Sequence, residues 1–500
     1  MNLKFALTGA AIVAASQVSY AQYSGDAFRF SQTQTGATSR IKAIGGASTA
    51  VGGDLSSVSG NPAGLGFFTK SELSITPEFD NANVQGSYFG QTTNSTKNQI
   101  NLNNASVVFY NRLSTPRGRD KTKGWLSFNL GASYNRTNNF YRTENYAGTN
   151  PGGTISNFYA QEANKEYSQY GNNVDGTLQA WAYSQYLIDD PTANHFQSNV
   201  NSVNNRQANT VITSGGQSEL SLAGGANYSN KLYLGFGIGI TDLRYNSTRI
   251  FNETGTSLIP INSVATTAAY NSQYYQDQAT TGTGFNAKVG FIYKPVEAVR
   301  IGATFTTPTW MTVADSYVEG LQTTYPAYTT TLTNSSNPGD YDLTYNLRTP
   351  MKVSGGVAVF VGKYGFISGD VEYVDYKGMH LSGGDNFNFS ADNSDFATIY
   401  KSTVNARIGA EAKVDDLFLR GGFNYQGNPQ VGIGSPVKTS SAGIGYRFGK
   451  YYIDATYQYV MHTTTVYPYE FNPVYSSSIS PPANLKNTYN NAFLTLGLRF

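Results

Sequence analysis

Apolar residues recur at every second position over stretches of about ten residues, and this alternation constrains the fold more than any other feature. The clearest run is Leu232, Leu234, Phe236, Ile238 and Ile240, interleaved with Tyr233, Gly235, Gly237, Gly239 and Thr241. Val404, Ala406, Ile408, Ala410 and Ala412 alternate with Asn405, Arg407, Gly409, Glu411 and Lys413 in the same way. A period of two marks a strand with one apolar face. At this length it is also the pattern of a membrane-crossing strand. Fourteen such segments are expected: 71–79, 102–112, 124–138, 217–229, 231–251, 281–294, 298–319, 341–361, 364–381, 402–413, 416–427, 438–449, 451–464 and 489–500.

The connections add an independent constraint. Tight turns are expected at Asn230, Pro295 to Glu297, Gly362-Lys363, Asp415-Asp416 and Gly449-Lys450. Between them fall long polar connections, at 80–101, 139–216, 252–280, 320–340, 382–401, 428–437 and 465–488. Short and long alternate, apart from a longer basic turn around Arg117 to Lys123. A soluble sandwich has no reason to alternate so, and no repeat of 20–50 residues supports a solenoid. A transmembrane barrel does alternate, with short turns on one side and long loops on the other. The expected fold is all-β: a 14-stranded antiparallel transmembrane β-barrel, residues 71–500. Aromatics near strand ends (Trp125, Tyr134, Tyr228, Tyr293 and Tyr446) fit interfacial girdles.

Composition excludes several classes. Charged residues make up 13% of the 500 positions, about half the usual share of a soluble domain. Tyr (38) and Phe (28) are too abundant for a disordered chain. A net charge of +2 leaves no basic footprint, so no nucleic-acid partner is expected. No cysteine is present, which removes disulfides, thiolate metal sites and cysteine nucleophiles. The histidines are His195, His380 and His462; neither metal nor cofactor is expected.

Residues 1–21 read as a signal peptide, with Lys4, an apolar run from Phe5 to Ala15, and Ser19-Tyr20-Ala21 as a small-x-small cleavage site. The mature chain is then expected to begin at Gln22. The apolar run is far short of the roughly 20 residues of a membrane helix.

Residues 22–70 precede the first strand. They are too few for a domain and too apolar for a tail. From Ser39 on they are rich in Gly, Ala and Ser, and small residues allow close backbone packing. The alternatives are a linker or a hatch folded inside the barrel. Gly46-Ala47, Ala50 and Asp54, then Asn61-Pro62-Ala63 shortly before the first strand, resemble the long-chain fatty-acid transporter family of outer-membrane barrels, FadL/TodX type. Gly131-Ala132-Ser133 on the third strand and Arg420 to Phe423 extend the likeness. The resemblance implies a hatch carrying Gly46, Ala47, Asp54, Asn61, Pro62 and Ala63. It implies a lateral opening at about Gly131 to Phe140, including Ser133. It also implies lumen cations that hold a carboxylate, for which Arg244 and Lys401 stand nearest the matching places. Arg244, however, shares the parity of the lipid-facing Leu232 to Ile240. The terminal Phe500 is what the barrel-assembly machinery of such proteins accepts. The abundance of Asn and Tyr is similar to members from Bacteroidetes-type bacteria, some labelled haemin receptors or serving in secretion.

Other candidates come from the residues alone. Thr177 to Asp189 form a possible amphipathic helix, stopped by Asp190-Pro191. Its Leu178, Trp181 and Ile188 offer a docking groove for an apolar ligand, the alternative being a loop packed on itself. Inward parity collects Asp370, Glu372, Arg407, Glu411, Lys413, Arg420, Arg447, Asp454 and Arg499. These read as a site for a polar head group or, since the signs are mixed, as a cross-strand lattice; the lattice is favoured. His380 beside Ser382 has no partner spacing for a hydrolase. Asp385, Asn386, Asp392 and Asp395 lack a calcium-loop pattern.

The expectation is therefore an outer-membrane protein, no enzyme, for passive uptake of hydrophobic compounds, with long-chain fatty acids leading. Its partners are a fatty-acid-like ligand, membrane lipid and the assembly machinery, and one chain suffices to close a barrel as a monomer. The alternatives are a secretion or binding scaffold of the same fold, a haemin or aromatic-hydrocarbon receptor, an open porin and a barrel hydrolase.

Overall fold

The computed structural model describes residues 20–34, 36–114, 120–170, 176–192, 195–384, 387–471 and 480–500. Most of the expected signal peptide, Arg117 of the basic turn, and Asp385-Asn386 lie outside the described residues.

Fourteen antiparallel strands close into a barrel. We number them β1 (Glu72–Tyr88), β2 (Gln91–Phe109), β3 (Trp125–Asn139, continued by Arg142–Asn150), β4 (Asn205–Tyr228), β5 (Leu232–Ile261), β6 (Val264–Val296) and β7 (Val299–Thr306 and Trp310–Tyr325). Then follow β8 (Leu343–Arg348 and Lys352–Phe360), β9 (Gly365–Val374 and His380–Ser382), β10 (Thr403–Val414), β11 (Leu417–Gln426), β12 (Val437–Phe448), β13 (Tyr451–Val466) and β14 (Ala483–Arg499). Each strand pairs with its neighbour in the chain, and β1 pairs with β14 from Glu72↔Arg499 to Ser87↔Asn484. That last ladder closes the sheet on itself.

The outer wall is apolar where the alternation is strongest. Leu234, Phe236, Ile238 and Ile240 face outward and are exposed, as are Leu494 and Leu496 on β14. Trp125 and Tyr228 meet edge to face at the short-turn end, 5.1 Å between ring centroids. Tyr293, Tyr446 and Tyr451 are exposed at the same end. Among the described residues no helix is long and apolar enough to cross a membrane; the crossing elements are strands.

The strands run further than expected at the long-loop end. Residues 80–101, read as a loop, are the paired halves of β1 and β2, turning at Phe89 and Gly90. Residues 252–280 extend the β5–β6 hairpin to a turn at Asn262-Ser263, both with positive φ. These arms are rich in Asn, Thr and Ser. A strand that has left the bilayer needs no apolar face, so hydrophobic alternation does not reveal it. A crossing strand takes about 9–11 residues, whereas β6 has 33.

The inward-facing charges form a lattice. Glu411 binds Arg40 (2.8 Å) and Arg420 (2.6 Å), Arg420 binds Asp454 (2.6 Å), and Asp454 binds Arg447 (3.0 Å). Glu372 pairs with Arg407 at 2.6 Å and Glu72 with Arg499 at 2.9 Å. Lys413 is exposed near the turn after β10. Mutual satisfaction across neighbouring strands is what permits so many buried charges.

Candidate functional site

The lumen is filled from the N-terminus. After helix α1 (Tyr20–Ser31) come α2 (Ser39–Ala43) and two short 3-10 turns, Leu55–Val58 and Pro62–Phe67. Asp54 caps the first turn, accepting from Ser56 N (2.9 Å), and also holds the Thr38 hydroxyl at 2.8 Å. Asn61 caps the second, accepting from Ala63 N at 3.1 Å, while its amide donates to Thr49 O at 2.7 Å. Side-chain caps satisfy helix-start N–H groups that the lumen would otherwise strand. The same Asn61 amide donates to Phe291 O on the wall at 3.2 Å.

The wall meets this plug with bare backbone. A Cβ on Gly225, Gly235, Gly290, Gly302, Gly409 or Gly422 would collide with Pro62, Asn61, Thr49 or Ile44 of the plug. The glycines seen on the inner face of the alternating strands therefore mark where a second layer of chain lies against the first.

Above the plug lies an aromatic chamber. Its wall is Phe140, Leu243, Tyr245, Met311, Val313, Tyr345 and Leu347, joined by Tyr376 and Met379 where β9 is interrupted. Helix α5 (Ser390–Thr398) roofs it with Phe396. Helix α1 fills the chamber with Tyr23, Ala27 and Phe30, which are 6%, 0% and 0% exposed. Phe30 packs edge-on to Phe140 (5.9 Å) and Tyr245 (5.7 Å), and Tyr23 to Tyr345 (5.4 Å). Such contacts add about 0.5–1.5 kcal/mol each beyond area burial. Beside α1 remains a cavity of about 240 Å³, whose lining includes Lys42, Glu78, Asp80, Arg136, Lys352 and His462.

The wall beside this cavity is parted. β2 and β3 pair only from Asn104↔Asn135 to Phe109↔Leu130. Beyond Asn104 and Asn135 the two strands separate, while β2 stays paired with β1 and β3 with β4. They meet again higher up through side chains: Thr93 and Ser95 donate to the carbonyls of Asn145 and Thr143. Two residues between α1 and α2, Gln34 and Ala37, back the gap from inside. Gln34 N donates to Thr137 O of β3 (2.8 Å), and Asn103 of β2 donates to Ala37 O (2.6 Å). Asp80 bridges it, accepting from Asn101 and Asn139, each at 2.7 Å.

The candidates read from sequence are distributed as follows. Gly46, Ala47, Asp54, Asn61, Pro62 and Ala63 lie in the plug. Gly131 and Ser133 face the lumen but sit in the closed, paired part of the seam, opposite Val108 and Ser106; the parting begins one turn of the ladder higher, at Arg136 to Asn139. Leu178, Trp181 and Ile188 are 5%, 6% and 1% exposed. They belong to a core of the outer loops with Ile155, Tyr159 and Tyr325, so among the described residues these three pack inward on the loop itself and do not line an open groove. The expected helix is shorter, α4 (Leu178–Ser184), preceded by α3 (Ser156–Tyr170). Arg244 stands outside the wall, its side chain 74% exposed and 3.5 Å from Asp242, because the strand keeps its parity without a bulge. Lys401 is exposed in the loop before β10. Neither cation reaches the lumen. His380 is exposed. Of the cations that do line the cavity, Lys352 has inward parity, Arg136 is turned in beside a register shift in β3, and Lys42 comes from the plug helix α2. The chamber aromatics were unannounced, since only closure of the sheet brings β3, β5, β7, β8 and β9 round one space.

No family model matches the chain, and no curated protein matches it. Among solved structures, a deletion mutant of the TodX monoaromatic hydrocarbon channel is 13% identical; the match covers 93% of this chain and 99% of that one, with a TM-score of 0.52. A Pseudomonas aeruginosa FadL homologue is 12% identical over 93% and 98%, with a TM-score of 0.50. The Pseudomonas putida toluene transporter TodX is 11% identical over 94% and 99%, at 0.49. In fold, the chain resembles the FadL/TodX-type outer-membrane barrels.

Proposed function

We propose that this protein sits in a bacterial outer membrane and takes up hydrophobic small molecules passively. The observation that carries this reading is the aromatic chamber filled by α1, standing beside a parted β2–β3 seam. A channel for polar solutes would have no use for a chamber lined by Phe140, Tyr245, Met311 and Tyr345. The structures it resembles include proteins named as toluene and monoaromatic hydrocarbon transporters and a FadL homologue, which supports an apolar cargo.

In this reading α1 and the ligand compete for one space. Withdrawal of Tyr23, Ala27 and Phe30 exposes apolar wall, and a ligand that replaces them regains about 0.8 kcal/mol per buried methylene. Because Gln34 and Ala37, which bond the two sides of the seam, follow α1 closely in the chain, moving the helix also frees the gap. The ligand then leaves sideways toward the bilayer. The plug below, held by Asp54 and Asn61, keeps water from crossing. Long-chain fatty acids are the leading cargo; Lys42, Arg136 and Lys352 supply cations for a carboxylate in place of Arg244 and Lys401. The protein acts as a monomer, inserted by the barrel-assembly machinery, with no cofactor and no chemistry of its own.

Mass spectrometry of organic extracts from the purified protein, together with binding of labelled oleate and labelled toluene, tests the proposal. A bound lipophile displaced by either probe is expected. Failure of both probes and an empty extract would overturn uptake in favour of a scaffold, whose protein partner would then co-purify.

A further inference from the structure

The chamber wall carries a polar corner. On β7 the inward-facing Met311 and Val313 are followed by Asp315, which is 3% exposed. Asp315 stands opposite Thr280 of β6 and Leu343 of β8. The next inward position of β8 is Tyr345, 1% exposed. Diagonal cross-strand neighbours of this kind lie ~7–8 Å apart, within reach of long side chains. Asp315 Oδ1 accepts from the Thr280 hydroxyl and from Gln278 Nε2, the latter at 3.0 Å. Gln278 Nε2 also donates to Asp26 Oδ2 of α1 at 2.6 Å. Arg29, on the same helix, pairs with Asp26.

Anchoring α1 accounts for Gln278 and Asp26 but leaves two wall atoms over. Asp315 Oδ2 and the Tyr345 hydroxyl are buried and have no hydrogen-bond partner among the described residues, although α1 is seated. Unpaired buried polar groups are costly, and a wall that only held a helix would be served better by Leu and Phe at these two places. When α1 withdraws, Asp26 and its cation Arg29 leave together, and one N–H of Gln278 is freed. The corner then presents a carboxyl oxygen, a phenol hydroxyl and an amide N–H within an apolar surround.

The ligand group that fits must offer a donor to Asp315 and an acceptor to Gln278 or Tyr345. A hydroxyl does both with one atom. A carboxylate brings no donor and meets the like charge of Asp315. An ammonium brings no acceptor, and a hydrocarbon end leaves all three wall groups unpaired. We propose that this corner is a binding site for a hydroxyl group, so that the chamber takes hydrophobes bearing an alcohol or phenol. The inference rests on the reading that a ligand replaces α1, and narrows the class of ligand. A fatty acid would have to keep its carboxylate at the cations of the neighbouring cavity.

The test is equilibrium binding of labelled hexadecanol, hexadecane and palmitate, equal in chain length, to the purified protein. Hexadecanol is expected to bind wild type about tenfold more tightly than hexadecane, the worth of a hydrogen bond to a charged group. Tyr345→Phe, which removes one oxygen and keeps the ring, should cut that advantage about fivefold. Asp315→Asn keeps an oxygen for Thr280 and Gln278 and turns the free one into a donor. It should raise the affinity of palmitate relative to hexadecanol about tenfold, a gain that misfolding would not produce. Binding of the three probes with both ratios unchanged in the variants would overturn the hydroxyl site and leave the uptake reading standing. Failure of all three to bind wild type would overturn both.

Discussion

Gly235 lacks a side chain because Pro62 occupies the space one would fill, and the same holds for Gly225 and Gly422 against Pro62 and Ile44. Their tolerance should therefore depend on the plug. Gly235→Val is expected to destabilise the protein by about 1–3 kcal/mol, the usual cost of overpacking, read as a lower denaturant midpoint and faster proteolysis of the plug. Gly421→Ala, whose new Cβ would lie 3.9 Å from its nearest neighbour, Ser441 O, should leave both unchanged. Arg420, whose side chain is fully buried, sits between Glu411 and Asp454. Arg420→Met removes the cation and leaves two carboxylates each with one remaining partner. A loss of about 3 kcal/mol is expected, with partial recovery in the triple variant that also carries Glu411→Gln and Asp454→Asn.

At the scale of elements, the outer loops carry their own core round α3 and α4, and Glu166 on α3 lies within it. Its carboxyl is 5% exposed, and burial pushes it up to about 7 from an ordinary 4.5. A carboxyl whose folded-state pKa lies above its unfolded value takes up a proton on folding. The loop core should then be firmer at pH 5 than at pH 8, losing stability as pH rises toward and through 7. Hydrogen exchange of α3 amides at the two pH values, corrected for intrinsic rate, measures this. Glu166→Gln should abolish the difference and give the higher protection at both. Opposite slopes would show the loop core to be held by the charged form.

For the whole molecule, the barrel wall closes through the β1–β14 ladder, whose pairing does not involve the plug. Removing residues 36–68 should therefore leave a folded barrel with an open lumen. In planar bilayers the intact protein is expected to pass little current, and the deletion variant to show steady ion conductance. If the intact protein conducts as well as the variant, the plug is no barrier and the porin alternative gains the ground.

How much of this was legible depends on which interactions each feature needs. The period-two alternation at Leu232 to Ile240 and its counterparts, with the tight turns at Asn230 and Gly449-Lys450, sufficed for strand number and a barrel, because a lipid-facing wall imposes one apolar face on every crossing strand. The arms of β1–β2 and β5–β6 were hidden, since strands in water need no such face. Asp54 and Asn61-Pro62 were legible only as part of a resemblance; that their side chains cap two 3-10 turns came from the structure. What tertiary structure alone decided was where inward side chains converge. The chamber of Phe140, Tyr245, Met311 and Tyr345 draws on strands far apart in the chain, Arg244 falls outside by parity, and the seam opens above Gly131 and Ser133. Sequence spacing determines which face a residue takes; closure of the sheet determines what stands opposite it.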